Sequence, residues 1–336
     1  MAGEAEVGRV DVRQLAALVA VAETGSVTRA AEVLHLVQPA VSRQIKLLED
    51  ELGAPLFERT RQGMRLTDDG QILLEHSRRA LSELERARAE IRPASGELRG
   101  LVTLGLSPSF AEPIGEALVT RLASEHPAVQ LRLSIGYTRH LADWLDAADI
   151  DLAVIYEVRP SSAVEVHPLL DESLWVVGRP GSDLSPERPV RFVDVHDRIR
   201  IQSNPTHALR MMLERVAAEQ KIRLTVALET NSMDVQRRLA AAGIGLTVLP
   251  SIAVAEDIAR GRLTGAPLLD AGLRRRLLMA LPGTRRLGHV VHGVAEILVE
   301  EMRRSVESGA WPSATWLAEA RSGPSRSRGR SRARSQ

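Results

Sequence analysis

Gln38, Ser42, Arg43 and Lys46 are spaced so that a helix would carry them along one polar face. These side chains hold donors that suit base edges and phosphate oxygens. Arg pairs with guanine through two bonds, Gln does the same with adenine, and Lys neutralises phosphate. Val41, Ile45, Leu48 and Leu52 recur at spacings of four, three and four residues, which predicts a buried stripe on the other side. Pro39 fits a first helical turn, where its missing N–H is no loss. A first helix precedes it in the stretch that begins at Thr28, with Ala30 and Ala31 small enough for close helix approach and Leu34 at the corner. Two helices meeting at a tight turn make a DNA-reading helix-turn-helix, although periodicity alone also fits a solvated amphipathic helix.

The next segment favours the first reading. From Leu56 to Thr67 the residues read as a short hairpin, anchored by Phe57, Met64 and Leu66, with Arg59, Arg61 and Arg65 projecting between. A basic wing beside a reading helix grips the duplex backbone. The expected DNA-contacting set is therefore Thr28, Arg29, Gln38, Pro39, Ser42, Arg43, Lys46, Arg59 and Arg61. From Asp11 to Leu66 seven basic residues balance seven acids, and five of the basic ones fall on this helix and wing, so affinity for DNA comes from clustering rather than bulk charge.

The run from Gln14 to Gly70, with Ala30-Ala31, Gln38-Pro39-Ala40-Val41-Ser42, Leu47, Glu49, Leu52-Gly53, Leu56-Phe57, Arg59 and Leu66-Thr67-Asp68, resembles the LysR-type transcriptional regulators. Val37 departs from the pattern, since that family often has a capping Ser there. The missing cap costs about 1 kcal/mol. The resemblance implies a winged helix-turn-helix, a dimer or tetramer, and promoter DNA as partner, with RNA polymerase a further candidate.

After the wing, Thr67 is an expected N-cap, with Asp68 and Asp69 in a first turn where acids suit the helix dipole. No Gly or Pro interrupts the chain from Gln71 to Arg92, and Leu73, Ala80, Leu84, Ala87 and Ile91 form a near-heptad stripe suited to pairing with another helix. Pro93-Ala94-Ser95-Gly96 then marks a hinge. The expected organisation is a disordered 1–10, a winged helix-turn-helix over 11–67, a linker and dimerisation helix with hinge over 68–95, an effector domain over 98–305, and a disordered Arg/Ser-rich tail over 312–336.

Composition sets outer limits. The formal charge of +1 includes six arginines and no acid in residues 321–336, so the remainder stands at −5. The chain contains no cysteine, which excludes thiol redox sensing and thiolate metal sites. The acidic start, Met1 to Glu6, lacks a signal peptide's apolar segment, and no run approaches the ~18 apolar residues of a membrane span. A cytoplasmic, nucleoid-associated protein is expected.

From Leu98 onward strands alternate with helices. Val102–Leu106, Val129–Ile135 and Asp151–Tyr156 read as strands, with helices over Pro113–Glu125 and His140–Ala147. This succession predicts a parallel sheet. A second set places strands at Leu174–Val177, Ile199–Gln202, Thr225–Leu228 and Gly245–Leu249, with helices at Thr206–Gln220 and Met233–Ala242. Strand Leu277–Leu281 and helix Val290–Val306 close the fold. The overall class is α/β, in two lobes with a cleft. Resemblance to LysR-type effector domains, which look like type 2 periplasmic solute-binding proteins, covers 98 to about 304. It implies lobe I over 98–170 and 271–305 and lobe II over 171–270, with crossings near Leu170 and Asp270.

Hydroxyls and amides gather at four strand-to-helix junctions: Ser107 and Ser109; Tyr137 and Thr138; Ser203, Asn204 and Thr206; Thr230, Asn231 and Ser232. Junctions of this kind open into one crevice in α/β folds, and helix N-termini there favour an anion. Taken singly, each residue is equally a helix cap. The expected effector set is Ser107, Ser109, Tyr137, Thr138, Ser203, Asn204, Thr206, Asn231 and Ser232, with a small, anionic metabolite as ligand. Ile135-Gly136-Tyr137-Thr138, Trp144-Leu145 and Asp151–Tyr156 look most like the nitrogen assimilation control branch of the family, which often has Glu where Ile135 stands.

No reaction centre emerges. His289, His292 and Glu296 could share a helix face but form no HExxH pattern, and a solvated pair of histidines suits them better. Gly105-Leu106-Ser107-Pro108-Ser109 lacks the second Gly of a nucleophile elbow. Gly243-Ile244-Gly245 lacks the rest of a phosphate loop. The expectation is a non-enzymatic regulator without cofactor or metal. A solute-binding module is the alternative, and an enzyme comes third.

Overall fold

The computed structural model describes residues 10–61, 63–91, 97–156, 164–283 and 287–317. The start of the chain, the hinge at 93–96 and the Arg-rich residues 321–336 lie outside the described residues. The chain folds as two units, divided at Gly100 and Leu101.

In the first unit, α1 (Val12–Thr24) opens with a capping box in which Gln14 Oε1 accepts from the Asp11 N–H at 2.7 Å. It ends at Gly25, whose φ of +64° is the left-handed conformation that glycine takes without strain. Ser26 caps α2 (Val27–Val33), and α3 (Gln38–Leu52) follows after a turn through His35 at φ +54°. Strands β1 (Phe57–Thr60) and β2 (Gly63–Leu66) pair antiparallel, with Phe57 opposite Leu66 and Arg59 opposite Met64. Thr67 caps α4 (Asp68–Ile91) as the sequence predicts, its Oγ1 accepting from the Gly70 N–H at 3.0 Å. Ala17, Leu18, Val21, Ala30, Ala31, Val41, Ile45, Leu48, Leu56 and Phe57 form the core. Leu52 does not join them. It sits in the last turn of α3, 45% exposed, so the buried stripe stops at Leu48.

The second unit begins with β3 (Gly100–Leu106), α5 (Pro108–Glu125), β4 (Val129–Ile135), α6 (Thr138–Asp146) and β5 (Leu152–Tyr156). Helix α5 starts five residues before the expected Pro113, because Pro108 already occupies the first turn. Strand β6 (Val164–Gly178) is far longer than the expected Leu174–Val177. Beyond it come β7 (Ile201–Gln202), α7 (Ala208–Glu219), β8 (Leu228–Glu229), α8 (Met233–Ala241) and β9 (Thr247–Pro250). Helix α9 (Ser251–Ala259), β10 (Thr264–Pro267), β11 (Arg274–Pro282), α10 (His289–Glu307) and β12 (Ala314–Trp316) complete it.

The sheet is mixed, which corrects the expected parallel one. β3 and β5 are parallel, with Leu104 beside Leu152, but β11 runs antiparallel to both β5 and β6. The first half of β6 lies between β11 and β12, and its second half between β9 and β10. One unbroken strand therefore serves both lobes, and the change of sheet falls between Ser173 and Leu174 rather than at Leu170. Residues 312–317, expected to be disordered, are ordered. Trp311 is fully buried, and β12 adds to β6 with Trp316 opposite Leu170.

Candidate nucleic-acid interface and ligand cleft

On α3 the structure brings the expected residues together at one surface. Gln38, Pro39, Arg43 and Lys46 are exposed and Ser42 is half-buried, while Val41, Ile45 and Leu48 face the core. Gln38 Nε2 donates to Ser42 Oγ at 2.8 Å, and Lys46 Nζ lies 2.8 Å from Asp50 Oδ1. That partner raises the Lys46 pKa, through its hydrogen bond first and its charge second. Arg43, Arg59 and Arg61 are exposed and carry no ion pair among the described residues, so their charges are available to an outside partner. Thr28 and Arg29 are also exposed, but the Arg29 guanidinium is bonded to the Thr24 carbonyl at the end of α1.

Two devices hold the wing against the helices. Glu49 Oε1, near the end of α3, accepts from the N–H groups of Leu56 at 2.8 Å and Phe57 at 3.4 Å. The Met64 N–H donates to the Gly25 carbonyl at 2.9 Å. Gly63 makes that approach feasible, since a Cβ there would lie 2.4 Å from the same oxygen.

The nine residues expected around the ligand fall into two groups, one in each lobe, and one hydrogen bond joins them. In lobe I, Ser107 Oγ lies 3.3 Å from Ser109 Oγ, which lies 2.5 Å from Tyr156 Oη. In lobe II, Ser203 Oγ accepts from Gln236 Nε2 at 3.3 Å, and the Asn204 N–H points to Asn231 Oδ1 at 3.4 Å. The groups meet where Tyr137 Oη donates to the Asn231 carbonyl at 2.6 Å. Ser232 caps α8, its Oγ accepting from the Val235 N–H at 3.3 Å, so for this residue the cap reading holds. Thr138 opens α6, half-buried, and Thr206 lies exposed in the turn before α7.

Sequence reading missed a buried charged pair beside Tyr156. Glu172, fully buried, accepts from Arg275 Nε at 2.6 Å and from Trp311 Nε1 at 2.8 Å. The Arg275 guanidinium stacks over the Tyr156 ring, 3.5 Å from its centroid. Arg275 Nη2 is 2.5 Å from the same Glu172 oxygen but off the line of its N–H bonds, so its protons have no acceptor among the described residues. Burial pushes the Tyr156 phenol well above its usual range, against the opposing pull of Arg275. His207, also missed, caps α7 by accepting from the Leu209 N–H at 3.2 Å, and packs edge-on against Tyr137 with centroids 4.8 Å apart. Burial lowers its pKa, and Arg275 lowers it further, which favours the neutral imidazole. Gln202 is fully buried, and neither polar atom of its side chain has a partner among the described residues. The pairing that selects Glu172 and Arg275 is a matter of strand register, which the sequence does not display.

No group of three or more metal-ligating side chains occurs among the described residues, and His292 Nδ1 lies 3.2 Å from the Gly288 carbonyl at the start of its helix. No described helix is long and apolar enough to cross a membrane.

Comparison with known proteins agrees with both halves. Residues 12–71 match the family described as bacterial regulatory helix-turn-helix protein, lysR family, and residues 95–303 match the LysR substrate binding domain. The nitrogen assimilation regulatory protein nac of Klebsiella aerogenes is 32% identical over 303 residues, covering 88% of this chain and 96% of the relative. Full-length OxyR from Pseudomonas aeruginosa, a cysteine-to-aspartate variant, shares the fold at a TM-score of 0.68 and 21% identity, over 91% of this chain and 97% of that one. So does full-length CbnR, solved in complex with its target DNA, at a TM-score of 0.64 and 21% identity, over 88% of this chain and 99% of that one. The relatives are regulators rather than transport modules, which sets the solute-binding alternative aside. With a helix-turn-helix unit at one end and a two-lobed ligand-binding unit at the other, the chain belongs to the LysR family of transcriptional regulators.

Proposed function

We propose that α3 enters the major groove of promoter DNA, with Gln38, Pro39, Ser42, Arg43 and Lys46 toward base edges and Thr28, Arg29, Arg59 and Arg61 toward phosphates. The observation that carries this reading is that Arg43, Arg59 and Arg61, on one rigidly tied helix and wing, have no ion-pair partner among the described residues. Two copies pair through α4 and present two reading heads to a two-fold site in the cytoplasm, as a dimer or a tetramer. The chain acts as a regulator and not as an enzyme.

A small anionic metabolite in the cleft biases this complex. The Arg275 guanidinium, with Ser107, Ser109, Tyr137 and Thr138 from lobe I and Ser203, Asn204, Thr206 and Asn231 from lobe II, supplies its donors, while Ser232 serves as the cap of α8. It shifts the protein only as far as its affinities for two arrangements differ. The test is anisotropy titration of a duplex selected in vitro from a random library by the full chain. Arg43→Ala should lose about 5- to 150-fold affinity for the selected duplex and much of its preference over scrambled DNA, a bidentate contact being worth about 1–3 kcal/mol. Unchanged affinity and preference would overturn the assignment of α3.

A further inference from the structure

The turn into α3 carries an apolar patch that its own unit does not use. Val33 is 62%, Leu36 49% and Val37 69% exposed, and none of them packs against the core of the first unit. Val37 is the N-cap of α3 and makes no side-chain cap bond, so the helix forgoes the stabilisation that Ser, Thr, Asp or Asn would bring. Its backbone carbonyl accepts the first helical bond, from the Ala40 N–H at 2.9 Å, which fixes the side chain next to Gln38 at the leading end of the reading face.

We propose that Val37 is a specificity residue that packs against the 5-methyl group of a thymine in the operator. The inference rests on the reading of α3 as the base-contacting helix and goes beyond it. Residues at the leading end of such a helix reach base edges, and the thymine methyl is the one apolar mark the major groove displays. Val37 directly precedes Gln38, the first exposed residue of the proposed reading helix, which favours the duplex over a second protein as the occupant of the patch. At this N-cap Val37 offers two methyl groups where a hydroxyl would cap the helix. Loss of one methyl from it should change affinity by about fourfold.

The experiment removes the methyl from either side. The full chain is titrated against its selected duplex and against a series in which each thymine is replaced singly by deoxyuridine, which lacks only that methyl. The wild-type protein should lose about fourfold affinity at one thymine in each half-site. Val37→Ala and Val37→Ser should bind the thymine and uracil forms of that position equally, while Val37→Ser, with a cap restored, raises the thermal midpoint. Equal uracil sensitivity in wild type and both variants, or none at any position in the wild type, overturns the inference and leaves the base-reading assignment intact. A Val37→Ser variant that alters only the assembly state in solution also overturns it, since the patch is then a protein contact. A wild-type chain that selects no duplex overturns the base-reading assignment, and this inference with it.

Discussion

Arg275 and Glu172 face each other across one rung of the β6–β11 ladder, their side chains 2.6 Å apart at Nε and Oε1, and the carboxylate is entirely enclosed. The second oxygen of Glu172 takes the indole N–H of Trp311, so a single buried charge ties the crossing strand, β11 and the C-terminal segment together. Replacing one member of a buried pair strands the other. Glu172→Gln should therefore cost about 3–5 kcal/mol, read as a lowered denaturation midpoint, and the double variant with Arg275→Met should recover much of it. A midpoint for Glu172→Gln within error of wild type would refute the argument.

His207 gives the second unit a dependence on acidity. Its folded pKa lies below the unfolded value of about 6.5, chiefly through burial and then through Arg275, so the unfolded chain binds the proton more readily. The stabilisation is present above that pH and is lost as pH falls through the folded value. His207→Asn retains a side chain able to cap α7 and cannot titrate. Between about pH 7 and pH 5 its thermal midpoint should fall less steeply than that of the wild type. Parallel curves would show that His207 does not titrate this way.

Gly63 sits at φ +124°, and a Cβ would drive into the Gly25 carbonyl. Gly63→Ala should cost about 1–3 kcal/mol and displace the wing from α1. Amide exchange at Met64 reports this directly, because its N–H loses the Gly25 partner. An unaltered exchange rate would mean that the contact bears no strain.

Arg59 and Arg43 should separate grip from reading. Arg59→Ala should weaken binding evenly across sequences and reduce the slope of log affinity against log salt by about 1, as expected for one lost phosphate contact. Arg43→Ala should change sequence preference instead. Identical salt slopes and preferences in the two variants would defeat the division of roles.

From α2 to the start of α4 the first unit was legible because its signals are local: Val41, Ile45 and Leu48 recur at helical spacing, Phe57, Met64 and Leu66 at hairpin spacing, and Thr67 begins a helix, whereas α1, with its Asp11 cap and its end at Gly25, was not legible. Nor was the first half of β6. Glu165, His167, Asp171 and Glu172 interrupt its apolar pattern, and Asp171 and Glu172 are answered by Arg276 and Arg275 about a hundred residues away, where each pair shares a rung. Likewise Arg274-Arg275-Arg276 reads as a solvated run, and only the register singles out its middle member for burial. The hydroxyl-rich junctions were visible, but their linkage through Tyr156 and His207 depends on strands and helices meeting in space.

The carboxylate of Glu49 has one further implication. By accepting hydrogen bonds from the Leu56 and Phe57 N–H groups, it joins α3 and the hairpin, the two parts proposed to meet DNA, into a single rigid piece. The entropy of aligning those two parts is thus spent once, when the chain folds, and is not charged again at each encounter with a duplex. Discrimination between sequences then rests on fit alone, since a preset tool has little freedom to adapt to a poor match.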